Sequence, residues 1–147
     1  MRSFLNDKLK NDGGQGNEAI EIGLQYANNE ILKDDDIPLS LIIIIGDAPP
    51  NTPENVESKR REAAREEGNM NYWLETEDYK VPTHWSTEIK KLEDSEISKV
   101  PVYSFYVLNE KVTRIEEAKA ALHTEFSKLA VNGGKCSFLD IHNEQTG

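Results

Sequence analysis

Four consecutive isoleucines, Ile42 to Ile45, stand inside LSLIIIIGDAPP (residues 39–50) and run straight into Gly46, Asp47, Ala48 and a Pro-Pro pair. A β-branched apolar run bounded by breakers predicts a strand. With no polar alternation in it, the expectation is burial on both faces, as in a parallel sheet. Asp47 then falls where the strand stops, at the sheet rim where open α/β folds bind their ligands. The rest of the chain is placed by asking what covers this strand and what meets this carboxylate.

Before it, residues 1–11 are polar with Phe4, Leu5 and Leu9 at helical spacing, a short helix with no strand ahead of it. DGGQGNE (residues 12–18) is a glycine-rich turn into a helix carrying Ile20, Gly23, Leu24, Ala27 and Ile31 on one face, with Asn17 as expected N-cap and Glu18 in the first turn. Asp34, Asp35 and Asp36 punctuate helix and strand and read as a solvated connection. After the strand, Thr52 and Pro53 predict the N-cap and first position of a polar helix reaching about Glu67, its apolar marks being Val56, Ala63 and Ala64. Residues 68–82 have no regular period but hold Tyr72, Trp73 and Tyr79, as expected of a loop folded over the rim.

Residues 83–97 predict a helix with Trp85, Ile89 and Leu92 inward, and 100–108 (VPVYSFYVL) a second buried strand with Pro101 near its start. Residues 114–131 predict the clearest helix, with Ile115, Ala118, Leu122 and Leu129 as its stripe and Asn132-Gly133-Gly134 as its stop. Residues 136–141 (CSFLDI) predict a third short strand. Strands separated by helical patterns imply an α/β class: a three-layer, doubly wound, Rossmann-like and mostly parallel sheet with right-handed crossovers.

Composition narrows the function classes. The chain has 147 residues, enough for one domain, and a formal charge of −10 that would repel a phosphate backbone and an anionic membrane alike. Nucleic acid and membrane insertion are therefore not expected. The single Cys136 excludes an intramolecular disulfide, and with no apolar leader or spanning stretch the expected location is cytoplasmic, although a piece of a secreted protein would read the same. His84, His123 and His142 have no partners at ligand spacing, and there is no Walker loop, nucleophile elbow or GxGxxG, so no catalytic residue and no organic cofactor is expected.

GGQGNEAIEIGL, LIIIIGDAPPN, HWSTEIKKLEDSEISKVPVYSFYVLNE and FSKLAVNGGKCSFLDI, in that order, resemble the C-terminal two-thirds of a von Willebrand factor type A domain, clearest over residues 12–141. The resemblance implies a single partial domain over residues 1–147 and a metal-ion-dependent adhesion site, where Mg²⁺ at the sheet rim is completed by a carboxylate of a protein ligand. Asp47 matches the Asp of that family's third metal loop, and Glu18 the Glu of its second loop in some branches. The Asp-x-Ser-x-Ser of the first loop occurs nowhere in these residues, and Gln15 stands where a further carboxylate often lies. Only weak Mg²⁺ binding is therefore expected of this chain by itself, since the ion wants six hard oxygen ligands in an octahedron.

The expected function is a non-enzymatic, adhesion-type protein-interaction module with Asp47 and Glu18 as residual metal ligands and the loops 47–52 and 68–85 as contact surface. The alternative is a receiver-type signalling domain with Asp47 as phosphoacceptor, although the acidic pair such a domain needs after its first strand is missing. In the resembled family a further strand flanks the Ile-rich one. Without it, Leu41 through Ile45 become a sheet edge, and self-association through that edge is expected.

Overall fold

The computed structural model describes residues 16–33, 38–108 and 112–141. The expected first helix around Phe4, the turn residue Gln15, the acidic run Asp34 to Asp36 and His142 lie outside them. Helix α1 (Ile20–Leu32) leads to β1 (Ile42–Gly46), α2 (Pro53–Glu66), a 3₁₀ turn (Tyr72–Glu75), α3 (Trp85–Asp94), β2 (Val102–Tyr106), α4 (Ile115–Ser127) and β3 (Cys136–Phe138). The class is α/β, with a parallel sheet in the order β1-β2-β3. No helix among the described residues is long and apolar enough to cross a membrane.

Register decides what the sheet buries. Ile42 pairs with Val102 and Ile44 with Ser104, which in turn pairs with Cys136. These residues share one face with Tyr106 and Phe138. Onto that face pack Leu24 from α1, Ile89 and Leu92 from α3, and Leu122 and Phe126 from α4, making one core. Ser104, buried between them, donates its hydroxyl to the Phe126 carbonyl at 2.7 Å, so the polar atom in the core is satisfied.

The other face overturns the expectation of a strand buried on both sides. Leu41, Ile43 and Ile45 are 44, 55 and 61% exposed, and Leu139 beside β3 is 40% exposed. Topology explains this. Right-handed crossovers between neighbouring parallel strands laid down in one direction send every connecting helix to the same side. Here α3 joins β1 to β2 and α4 joins β2 to β3, and both lie on the core face with α1. Among the described residues α1, α3 and α4 cover one face of the sheet and the other face stays open, so the expected three-layer arrangement is not seen in them.

Local signals fared unevenly. Thr52 and Pro53 do start α2: the Thr52 hydroxyl accepts from the Asn55 N–H, and the Asn55 side chain accepts from the Thr52 N–H, a reciprocal capping box. Asn17 does not cap α1. The helix starts two residues later than that reading requires, behind Ala19 without a side-chain cap, and Glu21 rather than Glu18 occupies its first turn. Gly23, expected inward, is exposed, as are Ile115 at the start of α4 and Ile97 beyond α3. The four later elements, α3, β2, α4 and β3, are all shorter than expected, β3 by half. Asn132 and Gly133 take positive φ (54° and 88°) in the turn after α4, the left-handed conformation their sequence implies.

Candidate functional site at the rim of the sheet

Asp47 follows the last residue of β1 and is exposed at the C-terminal rim. The chain ahead of α1 is tied to the same place. The Glu18 N–H donates to the Pro49 carbonyl at 2.8 Å and the Asn51 N–H returns to the Glu18 carbonyl at 2.9 Å, an isolated parallel bridge centred on Glu18 and Pro50. Asn17, freed from capping, donates its amide to the Pro50 carbonyl and to Asn55 Oδ1, and Lys59 donates to the Asn17 carbonyl. Glu18 Cγ lies 3.4 Å from where a Cβ on Gly46 would sit, so the Glu18 side chain crosses the residue immediately before Asp47. The two residues named from the resemblance therefore share one rim, joined through backbone rather than through their carboxylates.

Beneath this clasp lies a pair the sequence did not reveal. Glu21 and Asn51 are 3 and 1% exposed, and the Asn51 amide donates to Glu21 Oε1 at 3.0 Å. Glu21 Oε2 and Asn51 Oδ1 are both buried and neither meets a donor among the described residues. Burial holds the Glu21 carboxyl above its ordinary value, with the Asn51 hydrogen bond, Lys59 and His84 pulling less strongly the other way. Helical spacing could have found Glu21, because it lies one position after Ile20 and three before Leu24, within the buried arc. Its polarity masked it.

Residues 68–85 fold over α2. The Trp73 indole donates to the Arg60 carbonyl at 2.7 Å, the Arg60 guanidinium stands 4.3 Å over the Trp73 ring, and it also donates to the carbonyls of Tyr79 and Lys80. The loop's end reaches the clasp through His84, whose Nε2 lies 3.1 Å from the Asn51 carbonyl. His84, which stands alone in the sequence, is thus a rim residue. A cleft of about 400 Å³ opens between the two helix starts, lined by Pro53, Val56, Pro82, His84 and Thr87 among others.

His123 also has partners that sequence spacing did not show. Its Nδ1 is 3.4 Å from the Tyr106 hydroxyl and 3.8 Å from Cys136 Sγ. The shared nitrogen and the long sulfur contact make this a loose cluster at the β2–β3 side of the sheet rather than an aligned nucleophile and base.

No three His, Cys, Asp or Glu side chains that could hold a metal ion come together among the described residues. Glu18 and Asp47 would supply two of the six oxygens that Mg²⁺ takes, leaving the rest to water or a partner's groups. No known family model, curated protein or solved structure matches the chain.

Proposed function

We propose that this chain is a non-enzymatic protein-interaction module of the A-domain type, a truncated α/β domain that meets its ligand along the C-terminal rim. The observation that carries this reading is the clasp between Glu18 and Asn51. It fixes the segment before α1 against the loop after β1 and, through His84, against the end of the 68–85 loop. Three loops held together at a sheet rim make a preorganised surface, which lowers the ordering cost of binding. The cleft beside His84 gives that surface relief for a partner's side chain. Asp47 and Glu18 are its residual metal ligands, and Mg²⁺ is at most a weak auxiliary that a partner's carboxylate would complete.

Peptides selected by surface display against the intact chain test the proposal. Binding is expected to fall at least tenfold on Asp47→Ala, at the exposed rim, or on Leu74→Asp, exposed on the 68–85 loop, and to persist on Ile97→Ser, which is exposed ahead of β2. Binders indifferent to both rim changes would overturn it. Transfer of a phosphoryl group to Asp47 from a small phosphodonor, read by intact mass, would favour the receiver-type alternative instead.

A further inference from the structure

Among the described residues no helix covers the second face of the sheet, a surface separate from the rim. Ile43 lies beside Tyr103, and Ile45 beside Phe105, which in turn pairs with Ser137. With Leu41 before them and Leu139 after β3, these positions present six large apolar side chains and no charge. The four aliphatic ones are 40 to 61% exposed. The uncovered apolar area is on the order of 500 Å², at the upper end of what a monomer shows without using it.

We propose that this face is a homodimer interface, in which two copies of the chain pack their sheets face to face. Charge removes two other occupants: with −10 on the chain, a nucleic acid or an anionic bilayer would be repelled, and the six apolar positions themselves carry no charge to be buried when a second copy covers them. Size agrees. Twice the exposed area is roughly 1,000 Å², at the threshold for a specific interface, which fits a reversible dimer. Two apolar β faces also have a standard way to pack, aligned to within about 30° and about 10 Å apart, with interdigitating side chains.

The edge of β1 that is unpaired among the described residues offers a competing mode, and the hydrogen bonds distinguish it. The Ile42 N–H donates to the Pro101 carbonyl and the Val107 N–H donates to the Gly46 carbonyl, so residues 42, 44 and 46 turn their peptide groups toward β2. Ile43 and Ile45 therefore turn theirs outward. Water satisfies these few groups at little cost, but it does not satisfy the apolar face, and edge pairing through β1 would leave that face wet. Face packing is the mode that removes it from water.

Sedimentation velocity of the 147-residue chain from low to hundreds of micromolar, with hydrogen exchange on the same samples, tests the inference. The mass is expected to double with concentration. Ile45→Lys, and separately the milder Ile43→Thr, should weaken the dimer with unchanged circular dichroism, the first at least tenfold, while Val81→Lys, 74% exposed outside the sheet, should leave it intact. The Ile43 and Ile45 amides should remain in fast exchange in the dimer. A monomer throughout the range would overturn the proposal. So would a dimer insensitive to Ile45→Lys, or one in which those two amides become protected, which is the signature of edge pairing. A monomer that cosediments with phosphatidylcholine vesicles would assign the face to a lipid surface instead.

Discussion

Asn28 on α1 grips Glu88 on α3 twice, its amide donating to Glu88 Oε2 at 2.8 Å and to the Glu88 backbone carbonyl at 3.0 Å. Glu88 is fully buried, and its Oε1 accepts from Thr83 at 2.6 Å and from Lys91 at 2.8 Å. A carboxylate inside the core is tolerable here because each oxygen has donors. The pair also fixes how α1 and α3 lie on each other.

Glu88→Ala is expected to destabilise the chain by about 3 kcal/mol, because it leaves the buried Asn28 amide with only the residue-88 backbone carbonyl, takes the acceptor from Thr83 and opens a cavity where a fully buried side chain stood. Glu88→Gln keeps the shape and one acceptor and should cost about half as much. Urea midpoints at constant slope measure both. Equal losses for the two variants would show that packing, not hydrogen bonding, is what Glu88 supplies.

Glu21 makes stability depend on pH in the unusual direction for a carboxyl. Burial raises its folded value above the ordinary 4.5, so the folded chain favours the neutral acid. Its contribution is complete below that ordinary value and is lost as pH rises through the raised one. Glu21→Gln, which carries no charge at any pH, should therefore gain stability relative to the parent chain as pH is raised from acid toward neutral. Thermal or urea unfolding of the two chains across that range checks it. A difference independent of pH would place the Glu21 carboxyl outside the dry interior.

Gly46 and Gly134 are required by close approach rather than by turn geometry. A Cβ on Gly46 would sit 2.9 Å from Phe126 Cζ, a fully buried ring, and Gly46→Ala should cost roughly 1–3 kcal/mol. At Gly134 the added carbon would lie 1.8 Å from the Val102 carbonyl oxygen, where backbone must move. Gly134→Ala should lose more than Gly46→Ala and disturb the β2–β3 pairing, seen as faster exchange of the Ser104 amide, which donates to the Lys135 carbonyl.

Mg²⁺ should bind in the millimolar range or more weakly, at or below about 4 kcal/mol of affinity. Titration calorimetry measures it. Micromolar affinity abolished by Asp47→Ala would mean that a complete ligand shell exists and that the incomplete-site reading is wrong.

No turnover is expected, because neither the rim nor the Tyr106–His123–Cys136 cluster aligns a nucleophile with its base. Esterase or phosphatase activity that survives repurification and disappears with Asp47→Asn or Cys136→Ser would refute this.

The sequence by itself determined what is local. The isoleucine run had to be a strand, Thr52-Pro53 had to open a helix, and Asn132-Gly133 had to turn, since each depends on backbone preferences of a few adjacent residues. The alternation of helical and strand patterns likewise implied a parallel α/β sheet before any contact was known. Only the tertiary structure decided which sides of β1 are covered. Four identical side chains carry no alternation to read, and the answer depends on the direction in which strands are added and hence on where the helices land. It also decided that Asn17 would reach Pro50 instead of capping α1, that Glu18 would bridge to the loop after β1, and that Glu21, Asn51 and His84 would meet beneath it. Those partners lie some thirty or more residues apart in the chain, and spacing along a sequence reports only what neighbours do to one another.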